Sequence, residues 1–174
     1  MRSNWEEILK DRLAIFGHRN WIVIADSAYP AQSSHGVETI VAGGEQIVVL
    51  AKAFGLLSEY NHIKPTIYTD QELNFVSEED ACGVTSYRER LQQIFRDQDV
   101  HVFPHEEIIS RLDRSGQMFR VLIIKTDMCI PYTSVFFELE CGYWNAQSEG
   151  RLRTAMRSND RIRRVSKVAE KVTS

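Results

Sequence analysis

Four short polar segments of this sequence adjoin predicted apolar elements, and they hold the side chains best suited to chemistry. They are Gly17-His18, Asp26 with the loop after it, His105, and Pro131-Tyr132-Thr133-Ser134. Ligands of open α/β sheets bind in the crevice beyond the carboxyl ends of the strands, and Asp26 closes one such strand. An imidazole with a reference pKa of ~6.5 gives and takes protons near neutral pH. These segments are therefore the candidates for a functional site.

Each of these side chains also has a purely structural interpretation. His18 follows a helix-ending glycine and is suited to cap that helix C-terminus. Asp26 is suited to cap the turn that follows it, as Asp commonly does. Tyr132 fits a core aromatic whose hydroxyl reaches the backbone, and His105 fits a residue at a helix start. Residue type alone leaves both interpretations open at each position.

The elements that must position these residues alternate between helices and strands. The apolar, β-branched run from Trp21 to Ala25 predicts a strand covered on both faces. Residues 71–83 are acidic and irregular, which predicts an exposed excursion. Further strands are predicted at 38–41, 66–69, 100–103, 119–124 and 134–140. Helices are predicted before Gly17, at 47–57, from Thr85 or Ser86 to 95, and from 104 to about 112. A break is predicted at 115–116. The alternation predicts an α/β fold with a central sheet between helical layers.

Charge is distributed unevenly along the 174 residues. The formal net charge is −3, yet residues 151–174 hold eight Lys and Arg against Asp160 and Glu170, so the first 150 residues carry −9. We therefore predict one domain over residues 1–145 and a basic helical extension over 146–174. Such an extension suits either nucleic acid or an acidic protein surface. The second is favoured because no aromatic residues are interleaved with the basic ones.

Composition excludes several classes of protein. Hydrophobic residues make up 43% of the chain and charged residues 26%, as in soluble globular proteins. No apolar run approaches the ~20 residues of a membrane span, and acidic residues stand where a signal peptide would be basic. We expect a cytoplasmic protein with no membrane partner. Cys82, Cys129 and Cys141 lack close pairing and are expected to be free thiols, at least two of them buried.

The order of the polar segments resembles the D-ribose pyranase and L-fucose mutarotase family. The opening block is Gly17-His18, the strand ending at Asp26, and Ser27-Ala-Tyr-Pro-Ala-Gln-Ser33. His105-Glu106-Glu107 is similar to a His-Glu pair of the ribose branch. The closing block is Ile123-Ile-Lys-Thr126 followed by Pro131-Tyr132 and an apolar strand. The resemblance covers about residues 5–140.

The resemblance implies a three-layer α/β sandwich with a largely parallel central sheet. It implies a homo-oligomeric ring of ten or five subunits, with sites near the subunit contacts. The implied activity is interconversion of ring forms or anomers of a monosaccharide, without cofactor or metal and with no nucleic-acid partner. His18 would be the proton donor, and the substrate-binding residues would be Asp26, His105, Tyr132, Thr133 and Ser134.

The sequence departs from the family pattern near the implied site. Ser134 stands where the family has Asn, and Asp127-Met128 stand where it has Gly-Glu. These departures leave two alternatives beside the isomerase. One is a sugar-binding protein that has lost turnover, and the other is a structural ring subunit whose basic extension binds a partner.

Overall fold

Six strands form one sheet in this protein. The structure, a computed structural model, describes the backbone of residues 4–172 and the side chains of residues 4–159. In chain order the elements are α1 (Trp5–Leu13), β1 (Trp21–Ala25), β2 (Val37–Val41), α2 (Gln46–Ser58), β3 (Ile63–Asp70), a 3-10 turn (Gln71–Asn74), α3 (Val84–Ile94), β4 (Val100–Phe103), α4 (His105–Met118), β5 (Val121–Lys125), β6 (Val135–Cys141) and α5 (Ala146–Val172).

The sheet is largely parallel, with one reversed strand in its interior. The strand order is β2-β5-β1-β6-β3-β4. β1, β2, β3, β4 and β5 share one direction, whereas β6 runs antiparallel to both of its neighbours, β1 and β3. The five parallel strands therefore end at the same edge of the sheet, where β6 begins. We call this the upper edge and the opposite one the lower edge.

Helices cover both faces of the sheet. Leu9 of α1, Leu50 of α2 and Leu91 of α3 belong to the core cluster on one face, together with Phe137 of β6. Ile108 and Leu112 of α4 belong to the cluster on the other face. Every residue of β1 is buried, as expected for a strand covered on both sides. The predicted α/β fold with a central sheet between helical layers is confirmed.

Helices α3 and α4 depart from their predicted boundaries. α3 begins at Val84, with Gly83 as N-cap in the left-handed region (φ 90°), and not at Thr85 or Ser86. The carboxylate of Glu78 accepts hydrogen bonds from the backbone N–H groups of Gly83 and Thr85. It therefore caps the start of α3 in place of the predicted hydroxyl of Thr85 or Ser86. Helix α4 does not break at 115–116 and continues to Met118.

The glycine inside α4 has a packing role. A Cβ on Gly36 would collide with the carbonyl oxygens of Gly116 and Phe119, and a Cβ on Gly116 would press on Val37. The start of β2 and the end of α4 therefore approach each other closely at two glycines. This close contact outweighs the low helix propensity of glycine at this point in α4.

Replacing Gly36 with alanine is expected to destabilise the fold by about 1–3 kcal/mol, because the atoms that must yield belong to the backbone. The matched control is Gly55→Ala in α2, where an added Cβ meets nothing within 4 Å. That change is expected to stabilise the helix by up to ~1 kcal/mol. Urea unfolding of both variants measures the difference, and equal midpoints would contradict the close approach.

The cysteines are more accessible than predicted. Cys82 and Cys129 are exposed and Cys141 is partly buried, with all three as free thiols. The expectation that at least two are buried is wrong. Cys82 and Cys129 lie in loops and not on the apolar strands that suggested burial.

The chain divides into two compact units, the second beginning at Gly142. In this second unit Trp144 donates its indole N–H to Glu149, which also pairs with Arg153 one helical turn later. The side chains from residue 160 onward lie outside the described residues, and with them most of the predicted basic face. Within residues 4–172, no helix is long and apolar enough to cross a membrane.

Candidate functional site

A histidine–aspartate pair lies at the upper edge of the sheet. Asp70 ends β3, and its register partner in the adjacent strand β4 is Phe103, two residues before His105. This register brings the two side chains together, with Asp70 Oδ2 2.9 Å from His105 Nδ1. The Asp70 side chain is 0% exposed, whereas the imidazole is 29% exposed. One end of the pair is therefore accessible and the other is sealed in the protein.

Two further groups hold His105 in place. Both carboxylate oxygens of Glu72, in the 3-10 turn after β3, accept from the backbone N–H of His105 at 3.0 and 3.1 Å. This caps the start of α4, where backbone N–H groups have no partner within the helix. The ring of Tyr132 meets the imidazole edge-on, with centroids 5.6 Å apart and an interplanar angle of 78°. Glu72 thus fixes the backbone of His105, and Tyr132 packs against its imidazole.

Asp26 contacts the start of β6 and the turn after β1. Its Oδ2 accepts from the hydroxyl of Ser134 at 3.0 Å, and its Oδ1 accepts from the backbone N–H of Ala28 at 2.9 Å. The second bond is the turn cap that the structural interpretation of Asp26 predicted. The first bond shows that the Ser134 hydroxyl is directed at Asp26. Asp26 is partly exposed at this edge.

The segment before β6 is held by a buried polar network. Tyr132 has φ 58°, an uncommon conformation for a bulky residue, and is 40% exposed. Thr133 is fully buried, and its carbonyl accepts from the hydroxyl of Tyr87 at 2.7 Å and from the amide of Gln46. Its hydroxyl donates to the carbonyl of Ile130. Thr133 therefore holds the strained conformation of Tyr132, with its own polar groups already bonded inside the protein.

Burial dominates the electrostatics of this edge. It raises the pKa of Asp70 to about 6, and the negative charges of Glu72 and Asp26 act in the same direction, while His105 lowers it. Burial also raises the pKa of Tyr29 and of Tyr87 above the ordinary range. Strongly perturbed acids in contact with an imidazole are typical of sites that transfer protons. Among the described residues, no three His, Cys, Asp or Glu side chains gather in a group that could hold a metal ion.

His18 lies at the other end of the sheet. It precedes β1, whereas Asp26 follows β1, and a five-residue strand is about 16 Å long. Its Nδ1 is 2.9 Å from Oε2 of Glu140, near the end of the reversed strand β6. One chain therefore brings together Asp26, His105, Tyr132, Thr133 and Ser134, and places His18 apart from them at the lower edge.

Sequence reasoning missed Asp70 and Glu72. Asp70 ends a predicted strand in the same way as Asp26, so the rule that selected Asp26 would have found it. Glu72 lay in the segment interpreted as an exposed excursion. That segment instead starts with the 3-10 turn that buries Leu73 and directs Glu72 at α4.

Comparisons with known proteins place the fold. No family model matches the chain, and no curated protein does. The structure of Bacillus subtilis RbsD complexed with D-ribose matches with a TM-score of 0.53 and 19% identity, over 76% of this chain and 91% of that one. FucU from Bifidobacterium longum matches with a TM-score of 0.52 and 12% identity, over 77% and 94%. This chain thus has the mixed α/β fold of RbsD and FucU.

Proposed function

We propose that this protein is a cofactor-independent isomerase that interconverts ring forms or anomers of a monosaccharide. The observation that carries the proposal is the His105–Asp70 pair beside Asp26 and Tyr132, at the upper edge of a sheet whose fold is that of RbsD. RbsD has been solved with D-ribose, and the sequence motifs resemble the pyranase and mutarotase family. We further expect a cytoplasmic protein with no nucleic-acid partner.

The reaction needs only proton transfers. Opening a hemiacetal requires one group to protonate the ring oxygen and another to accept the proton of the anomeric hydroxyl. The open chain then rotates and closes again. His18 is assigned the proton donation to the ring oxygen. Asp26, Tyr132 and His105 are assigned to the sugar. Ser134 and Thr133, which the resemblance also assigns to the sugar, are assigned instead to orienting Asp26 and Tyr132, because their hydroxyls donate within the protein.

A site that uses both His18 and Asp26 requires two copies of the chain. The length of β1 separates them by about 16 Å in one copy. We propose that the lower edge of one copy faces the upper edge of the next, within a ring of ten or five subunits. The His18 imidazole, 51% exposed on the lower edge, is accessible to such a neighbour. Head-to-tail contacts of this kind generate rings when the rotation closes.

Saturation-transfer NMR on a panel of aldoses that includes ribose and fucose tests the function. Saturating the anomeric proton of one ring form should reduce the signal of another, at a rate proportional to protein concentration. The heat-denatured protein gives the spontaneous rate. Transfer of saturation from the protein to a sugar, without exchange between ring forms, would instead support the sugar-binding alternative. The absence of both would contradict the proposal.

A further inference from the structure

We propose that Asp70 is a positioning residue that holds His105 as the second proton carrier of the site, with Nδ1–H directed at Asp70 and Nε2 directed at the sugar. This inference rests on the proposed isomerase function and adds the identity of the proton acceptor. His105 would be a catalytic residue, because it touches the substrate. Asp70 would act only through His105.

The difference in burial between Asp70 and His105 gives the positioning role to Asp70 and the catalytic role to His105. The Asp70 side chain is 0% exposed, so it cannot touch a sugar, yet its Oδ2 is 2.9 Å from His105 Nδ1. A neutral imidazole carries one N–H, and a carboxylate acceptor at Nδ1 selects the tautomer that places the proton there. The lone pair of Nε2 is then available to accept a proton. The partial exposure of the imidazole allows that nitrogen to reach a bound molecule.

The orientation of His105 is set by three separate elements. β3 supplies Asp70, the 3-10 turn supplies the Glu72 carboxylate that accepts from the backbone N–H of His105, and the segment before β6 supplies the ring of Tyr132. The strand order places Asp26 and Ser134 next to this group along the same edge. A sugar held by Asp26 and Tyr132 would therefore lie beside an imidazole that is already oriented, as general base catalysis requires.

The proton transfers balance without any further reactant. Neutral His105 accepts the proton of the anomeric hydroxyl at Nε2, and the electrons of that O–H bond form the carbonyl at C1. The bond from C1 to the ring oxygen breaks, and its electron pair takes the proton of the His18 imidazolium from the neighbouring copy. Closure on either face of the carbonyl reverses both transfers. The carboxylate of Asp70 stabilises the imidazolium that forms at His105, as the buried Asp does in hydrolase triads.

Replacing Asp70 with asparagine in the full-length chain tests the inference. We expect ring-form exchange to slow by about 10²–10⁴-fold, because Asn in place of the Asp that orients a proton-transferring His favours the wrong tautomer. Sugar affinity, measured by saturation transfer from protein to ligand, should change little. The NMR signals of the His105 ring nitrogens should show a smaller excess of the Nδ1–H form, because an ionised acceptor has been replaced by an amide that also donates. Glu72, Asp26, Tyr29 and Tyr87 also face this region and are unchanged in the variant.

The chain offers a matched control. Asp99 lies 3.9 Å from His101 but is 92% exposed, so solvent screens this second aspartate–histidine pair. Asp99→Asn therefore makes the same chemical change as Asp70→Asn at an exposed pair. This variant should leave both the exchange rate and the His105 tautomer close to those of the parent protein. An unchanged proportion of the Nδ1–H form of His105 in a folded Asp70→Asn variant would overturn the inference.

Two measurements keep the inference separable from folding and from the proposed function. In the parent protein, long-range proton–nitrogen NMR should show His105 mainly with Nδ1 protonated, and a predominant Nε2–H form would overturn the inference even if the variant does not fold. If the parent catalyses no exchange while His105 shows the expected tautomer, the function fails and the pairing stands.

Stability against pH gives one more expected result. Burial raises the pKa of Asp70 to about 6. The Asp70 carboxyl therefore stays protonated in the folded state at pH values at which it has already ionised in the unfolded chain. The contribution of Asp70 to stability should therefore fall as the pH rises from about 4 to 6. The Asp70→Asn variant lacks this dependence, so its unfolding midpoint relative to the parent should rise over that interval. A constant difference across the interval would contradict the buried ionisation of Asp70.

Discussion

Alanine at position 18 is expected to slow ring-form exchange on the best substrate by roughly 10²–10⁴-fold, the usual contribution of a general acid or base. The loss should appear mainly in the exchange rate, because His18 is assigned to proton donation and not to holding the sugar. The fold should be retained, since the His18 side chain is half-exposed and its ion pair with Glu140 is screened by solvent. Saturation-transfer NMR gives the rate.

His35→Ala is the control for this experiment. His35 is also an exposed histidine, in the loop before β2, and it has no assigned role in the site. Its replacement should leave the exchange rate unchanged. If a folded His18→Ala variant exchanges sugars at the parent rate, the assignment of His18 fails and Tyr132 becomes the first alternative.

Mixing two variants that each lack a different residue of the shared site is expected to restore activity. His18→Ala retains Asp26, and Asp26→Asn retains His18, and the two residues lie at opposite edges of one chain. In randomly mixed rings, about one site in four would combine an intact His18 from one copy with an intact Asp26 from its neighbour. The two variants should be co-expressed or co-refolded, and the mixed rings assayed against each variant alone.

This experiment also tests assembly. The control is a double variant that carries both His18→Ala and Asp26→Asn. Rings that mix it with either single variant should show no more activity than that single variant has alone. Rings of mixed composition that form without any recovery would contradict a site shared between copies. Light scattering from a stable monomer of 20.1 kDa would contradict the ring itself.

β1 and the edge strand β4 were the best predicted elements of this fold. β1 was predicted from Trp21 to Ala25 and β4 from Val100 to Phe103, with the bounds that the structure has. Because β1 is covered on both faces, no polar side interrupts its apolar run, and the first polar residue marks its end in the sequence. The same logic located Asp26 at the upper edge.

Residues whose position depends on distant contacts were not predicted. The break expected in α4 at 115–116 is absent, because Gly116 faces Gly36, which is 80 positions earlier in the chain. The role of Glu72 depends on the position of His105, which the register of β3 and β4 determines. The separation of His18 from Asp26, in contrast, depends on β1 alone. His18 precedes this extended strand and Asp26 follows it, so the two residues lie at opposite ends.

The strand order also determines when the centre of the sheet can form during synthesis. β1 lies between β5 and β6, and its register pairs Trp21 with Val121 and with Glu138. At about 5–20 residues per second, its five apolar residues would leave the ribosome some 5–20 s before either neighbour is available. Sheets with such distant pairings fold slowly and expose aggregation-prone segments meanwhile. Chains interrupted before β5 should therefore aggregate through Trp21–Ala25, and a polar substitution within that strand should reduce aggregation of the fragments while preventing the complete chain from folding.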